Sequence, residues 1–359
     1  LKTTEKSNTF AELYQAIDAG SSGSRSLFAL MQELRTGLQL FWEKAGGVLA
    51  GSGIRLAAVT PDYYSLEGNF FSALFLYSYL RQGIPSARRV VYVAVNQCLR
   101  GMVTGCDNLL DNEYKMTLGT DLPASATRFR SVLDIMVSDR VLFDLLIDLC
   151  RGNHVPLDVV RKAGHASLAS LARSGAEEAS EEAGIETMLT PEDVLGRVHH
   201  FKTGVLFQCP WAIPALVEAS LPDRAGAMKN ALYRIGMGCQ IFDDMVDMLS
   251  DVGTRRHNYV AALAFQRMSE AEWMELCATA REAAAAGARR EATAEAVARF
   301  YGRYPQVRES AYVKALAFLK TGLRALFAQE HAFLVKPAVK FIGERIGVDL
   351  VFPGSVAEG

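Results

Sequence analysis

The chain has no apolar run approaching the ~18 residues a membrane-spanning helix needs, and no recognisable signal peptide at its start. It has no surplus of basic charge: 38 Lys and Arg face 40 Asp and Glu, a formal net charge of -2. Nothing in that balance recruits nucleic acid, and a pI near 6.4 argues the same way. Cysteine is sparse. Cys98, Cys106, Cys150, Cys209, Cys239 and Cys277 are scattered through apolar stretches, without the paired spacing of a zinc site or the density of a secreted scaffold. Reduced thiols in a cytoplasmic protein are therefore expected. Alternating strand patterns are missing, and so is any repeat of solenoid period.

What remains is helix. Half of the 359 residues are hydrophobic and 22% are charged, ample for a large core. Length alone suggests about two domains. The periodicity predicts helices over 8–18, 24–49, 66–83, 86–113, 125–152, 156–173, 191–220, 225–252, 258–266, 269–285, 290–302, 307–329 and 331–346. Gly51 and Gly53 close one helix, and Gly83 with Pro85 separates two others. Thr190-Pro191-Glu192-Asp193 reads as an N-cap, a first-turn proline and an acidic first turn. The acidic stretch Ser174 to Glu186 reads as a mobile loop, and the Ala-rich stretch 279–298 as an outer helix. The expectation is an all-α chain forming one domain over 1–359, because its chemistry needs distant segments to converge.

Three segments carry that chemistry. In Gly238-Cys239-Gln240-Ile241-Phe242-Asp243-Asp244-Met245-Val246-Asp247, Asp243 and Asp247 stand one helical turn apart, with Asp244 beside them. Three carboxylates among bulky apolar residues repel one another, and no cation lies within the motif. A solvated acidic face would not be interleaved with Ile, Phe, Met and Val, whereas Mg²⁺ suits a few carboxylates plus phosphate and water. Asp107 and Asp111 repeat the spacing in Cys106-Asp107-Asn108-Leu109-Leu110-Asp111-Asn112-Glu113. Alone they are an ordinary acidic helix end; beside the later cluster they suggest a second metal-binding turn. Lys202-Thr203 sits in the apolar run Phe201 to Gln208. A lysine there either reaches the surface along its stem or holds an anion such as a diphosphate.

Together these segments resemble the trans-prenyl diphosphate synthases of the class I isoprenoid synthases, over roughly residues 45–260. The resemblance implies a large helical bundle around a central apolar cavity, with both Asp motifs at its mouth. It implies two or three Mg²⁺ ions held by Asp107, Asp111, Asp243, Asp244 and Asp247, and ionisation of an allylic prenyl diphosphate. Lys202 would bind the leaving diphosphate, Thr203 and Gln240 would set dipoles near the allylic cation, and released pyrophosphate would serve as the base. Isopentenyl diphosphate is the expected second substrate, with Arg55 and Lys115 as substrate-binding cations. Met102 and Val103, one turn before Asp107, would face the growing chain and permit products of twenty carbons or more. A homodimer, touching a membrane surface only through its product, completes the expectation.

The chain departs from the family at Asn108, which stands where a second aspartate is usual. An Arg pair after the first motif and a Lys after the second are missing, and Arg255-Arg256-His257-Asn258 occupies the latter region. The segment that holds isopentenyl diphosphate is reduced to Gly51-Ser52-Gly53-Ile54-Arg55, with Arg88, Arg89 or Arg100 as the available helpers. Two rivals follow: a terpene synthase or other coupling enzyme acting on the allylic diphosphate alone, and a non-catalytic subunit of a heteromeric synthase. The remaining features read as structure. Phe70, Phe71, Phe75, Tyr77 and Tyr79 are core packing, His199 and His200 point to different helix faces, and Arg88-Arg89 is a solvated helix start.

Overall fold

The computed structural model describes residues 15, 17, 24–111, 114–153, 155–218, 222–285 and 290–351; the helix expected over 8–18 falls largely outside them. The described residues contain no strand, only an isolated bridge between Leu56 and Thr120. The principal helices are α1 (Ser24–Leu49), α2 (Phe70–Arg81), α3 (Ser86–Leu110), α4 (Thr127–Asn153), α5 (Leu157–Ser180), α6 (Pro222–Thr254), α7 (Tyr259–Phe265), α8 (Glu270–Ala285), α9 (Arg290–Arg303), α10 (Pro305–Leu326) and α11 (Val335–Ile346). The fold is all-α. No described helix is long and apolar enough to cross a membrane.

Two compact units are present, one from 24–171 with 209–228, the other from 172–208 with the chain from 229 on. In the first, α3 packs against α1, α2 and α4. Seven successive residues from Tyr92 to Cys98 are buried, so this part of α3 is enclosed on every side. Its contact with α4 is unusually close. A Cβ on Gly101 would lie 2.1 Å from Ser138 Oγ, and one on Gly105 2.7 Å from Ile135 Cγ1. Side chains there would force the helices apart, so the two glycines fix the end of α3 that carries Asp107. Of the α2 aromatics, Phe70, Tyr77 and Tyr79 are buried as expected, while Phe71 and Phe75 are half-buried. Tyr79 OH donates to Pro210 O at 2.7 Å, and Trp211 Nε1 to Ser78 Oγ at 2.8 Å.

Asp134 on α4 is 1% exposed and accepts a 2.6 Å bond from Thr117 Oγ1. Burial pushes its carboxyl from 3.8 up to about 6, although Thr117 and Arg130 oppose the shift. The native state thus holds this proton where the unfolded chain releases it. Stability contributed by the neutral acid is full below the unfolded value and is lost as pH rises towards 6. Asp134→Asn is expected to stabilise the fold at pH 7, by on the order of 3 kcal/mol at most, and so to raise the melting temperature there. The gain should shrink to nothing below pH 4 in a melting series, and an equal gain at all pH values would contradict it.

Three expectations are corrected. The helix expected over 191–220 is a composite: a short turn Pro191–Asp193, a π-helical segment Val194–Val205, a 3₁₀ segment Leu206–Trp211 and a turn Pro214–Val217. Pro210 and Pro214 have no N–H to continue the ladder. Gly204 narrows the segment where it passes the Tyr233 ring, only 2.3 Å from where a Cβ would sit. The predicted start is intact, with Thr190 Oγ1 accepting from Asp193 N at 3.1 Å. Second, Ser174 to Ser180 is the last part of α5 rather than loop, because Ala and Glu favour helix and Ser174 Oγ anchors it to Lys202 O at 2.8 Å. Third, Arg88 and Arg89 are not freely solvated but paired and partly covered, at 26% and 12% side-chain exposure. Arg88 pairs with Glu218 at 2.8 Å and Arg89 with Glu33 at 2.5 Å, each carboxylate drawing its guanidinium out of water.

Candidate active site

The second unit is organised around α6. Gln240, Asp244 and Asp251 follow one another at helical spacing on its inner face, while Asp243 and Asp247 are exposed on the adjoining face. A Cβ on Gly238 would lie 2.5 Å from Leu319 Cγ, so glycine lets α10 press against α6 just before the motif.

Asp244 is 2% exposed and well supplied with donors. Gln240 Nε2 donates to Oδ1 at 3.0 Å and the Tyr259 N–H to Oδ2 at 2.5 Å. The buried His199 ring brings Nε2 to 3.0 Å from Oδ2, off the hydrogen-bonding direction. Asn258 ties the same region from the other side. Its Nδ2 donates to Asp244 O at 2.9 Å and Asp251 Oδ2 at 2.8 Å, and its Oδ1 caps α7 by accepting from Val260 N and Ala261 N. Burial pushes the Asp251 carboxyl well above the usual range, helped by Asp244 and opposed by Asn258 and Lys202. Asp244 therefore faces the protein, and Asp243 and Asp247 face outward.

The π-helical segment supplies the rest. Such helices are rare and gather at functional sites. Thr203 Oγ1 donates to Gln240 Oε1, which fixes the amide so that its Nε2 points at Asp244. His200 Nδ1 meets Tyr233 OH at 3.0 Å, on a different side from His199. Lys202 Nζ lies 3.0 Å from Glu178 Oε1 on α5, so the anion that an apolar run demands is present in the chain itself. Burial lowers the Lys202 ammonium, but Glu178, then Asp251 and Asp244, outweigh it and the net shift is upward. The lysine stays charged.

In the first unit, Asp107 is half-buried and Asp111 exposed at the end of α3, where the Asp111 N–H donates to Asp107 O at 2.8 Å. Asn108 turns inward: it is 4% exposed, its Nδ2 donates to Lys115 O at 3.0 Å, and its Oδ1 accepts from Lys115 N at 2.8 Å. An aspartate there could not make the first of these bonds, which accounts for the amide. The Lys115 side chain is exposed, as is that of Arg55, whose backbone N–H is held by Asp121 Oδ1 at 3.0 Å. Met102 lines a groove of about 430 Å³ with Leu142, Phe143, Leu146, Leu168 and Leu171, and Val103 beside it is half-buried.

Sequence reasoning missed Glu178 and Asn258. Asn258 was legible as an N-cap directly before an apolar helix. Glu178 carried no such signal, since its partner Lys202 is distant in the chain.

As for a metal, no three His, Cys, Asp or Glu side chains converge as a ready-made cage among the described residues. Asp243 and Asp247 still fit Mg²⁺ by their chemistry, because that ion uses one or two carboxylates with water and substrate phosphate.

No family model matches the chain, and no curated protein matches it in sequence. Solved structures do match in fold. A geranylgeranyl pyrophosphate synthetase from Pyrococcus horikoshii Ot3 is 14% identical with a TM-score of 0.60, over 94% of this chain and 99% of that one. A decaprenyl diphosphate synthase from Rhodobacter capsulatus is 17% identical, TM-score 0.60, over 90% and 98%. An octaprenyl pyrophosphate synthase from Helicobacter pylori is 13% identical, TM-score 0.56, over 93% and 99%. The chain has the all-α isoprenoid synthase fold, in the form these prenyl diphosphate synthases share.

Proposed function

We propose that the chain is a prenyltransferase that ionises an allylic prenyl diphosphate with Mg²⁺ and extends it with isopentenyl diphosphate. The observation that carries this reading is the joining of two distant motifs: Thr203, next to Lys202, is hydrogen-bonded to Gln240, three residues before Asp243. Asp243 and Asp247 would hold Mg²⁺ together with the diphosphate, and Asp107 and Asp111 are the candidate ligands on α3. A metal held by these carboxylates would supply positive charge to the diphosphate. Lys202 contributes a permanent positive charge to the same anion, while Gln240 and Thr203 hold oriented dipoles beside it. The reading treats the chain as one functional domain, acting as a homodimer in the cytoplasm.

A specific observation favours a second reading, coupling or cyclisation of the allylic substrate alone. The helpers expected for isopentenyl diphosphate are engaged elsewhere: Arg88 with Glu218, Arg89 with Glu33, and Arg100 with Gly68 O and Asn69 Oδ1 at 3.1 and 3.2 Å. Incubation with Mg²⁺, labelled allylic diphosphates and isopentenyl diphosphate separates the two. Elongation predicts longer diphosphates, and Arg55→Ala should raise KM for isopentenyl diphosphate by about tenfold or more, with little change for the allylic substrate. A hydrocarbon or alcohol formed with isopentenyl diphosphate ignored would establish the second reading instead.

A further inference from the structure

Glu178 sits where a substrate anion would be expected. Its Oε1 lies 3.0 Å from Lys202 Nζ and 3.6 Å from Arg256 Nη1. The three side chains are only partly covered, at 20%, 23% and 26% exposure for Glu178, Lys202 and Arg256, so an external anion can reach the cations. The segment bearing Glu178 is fastened at both ends. Ser174 Oγ donates to Lys202 O at 2.8 Å at one end. At the other, Ile185 N donates to Arg255 O at 2.8 Å, and Arg255 Nε and Nη2 return bonds to Ile185 O at 3.0 and 2.6 Å. Arg255 adopts φ 60°, a left-handed conformation that a non-glycine residue takes at a cost.

Between the two fastenings lies Glu181, 5% exposed. Its Oε2 accepts only a long 3.4 Å bond from His257 N, and its Oε1 has no hydrogen-bond partner. A buried carboxylate oxygen left unpaired is costly. Burial pushes its carboxyl up to about 6, and the field of the Lys202 ammonium opposes that shift.

We propose that Glu178 is an internal occupant of the diphosphate-binding cations, so that only an anion able to displace it from Lys202 and Arg256 is admitted. The proposal rests on the reading of Lys202 as part of the anion site. A tethered carboxylate competes at an effective concentration on the order of millimolar, without diffusing away. An incoming anion meets a site that is open only part of the time, and its apparent affinity falls by that fraction. A monophosphate, with few charges and oxygens, stays below the threshold. A diphosphate exceeds it, and Glu178 thereby acts as a specificity-determining residue.

The test is calorimetric titration of the full chain with inorganic pyrophosphate and with orthophosphate, both without metal. Glu178→Gln is expected to bind each about tenfold more tightly than the wild type, bringing orthophosphate into measurable range. Glu178→Asp, which keeps the charge but shortens the reach, should gain affinity as well, and thermal melts confirm that each variant is folded. Lys202→Ala should lose pyrophosphate binding. If it does, but neither Glu178 variant binds more tightly than the wild type, the proposal is overturned and the anion site stands. If Lys202→Ala binds like the wild type, the anion site itself is wrong and the proposal goes with it.

Discussion

Asp243→Ala is expected to lower kcat by about a thousandfold or more while leaving the melting temperature within a degree or two of the wild type. Both halves of the expectation come from where the side chain lies. Asp243 is exposed on α6, so truncating it opens no core cavity, and the Gln240 amide that reaches it at 3.5 Å keeps its shorter 3.0 Å bond to Asp244. Its neighbour Asp247, one turn on and also exposed, should behave alike. The loss should be greatest at low Mg²⁺ and partly recovered at high Mg²⁺, because one carboxylate and the diphosphate still offer a weakened site. Steady-state kinetics across a Mg²⁺ series checks this. Full activity in both variants with Mg²⁺ as the only metal would remove the acidic face from the mechanism.

Asp244→Ala, one residue away, is expected to fail differently, by losing the fold of its unit. The substitution strands the Gln240 amide and the Tyr259 N–H at a position 2% exposed, and removes the carboxylate lying 3.0 Å from the buried His199 ring. Removing one member of a buried charged network typically costs about 3–5 kcal/mol, a large part of a domain's stability. Asp244→Asn keeps one acceptor but turns an amide towards at least one donor, so it should recover only part of the loss. Denaturant titration distinguishes the cases. An Asp244→Ala protein as stable as the wild type but inactive would mean that Asp244 serves the reaction directly rather than through Gln240 and α7.

The contrast between Asp243 and Asp244 marks where sequence reasoning reaches and where it stops. That three carboxylates on an apolar helix need special company was legible from residue chemistry. Which of them turns inward was not, because it depends on Tyr259 and Asn258 arriving from the next helix. The helices themselves were readable wherever apolar periodicity and breakers agree: Gly51, Gly53 and Gly83 all take positive φ at the ends predicted for them. The segment 191–220 was not readable as π and 3₁₀ turns, since its apolar pattern fits any helical pitch and only tertiary contacts choose among them. Lys202 was flagged as needing an anion, yet its partner Glu178 lay in a stretch whose composition reads as loop. Asn108 was taken as a missing metal ligand; its bonds to the Lys115 backbone give it a local structural reason to be an amide.

The measurement that bears most directly on the account is release of pyrophosphate from an allylic prenyl diphosphate by the purified wild-type chain, followed with and without Mg²⁺ and set beside Lys202→Ala and Asp247→Ala. The account predicts release that requires Mg²⁺ and falls by at least about a hundredfold in either variant. No release by the wild type from allylic diphosphates of ten to twenty carbons, with or without isopentenyl diphosphate, would contradict it.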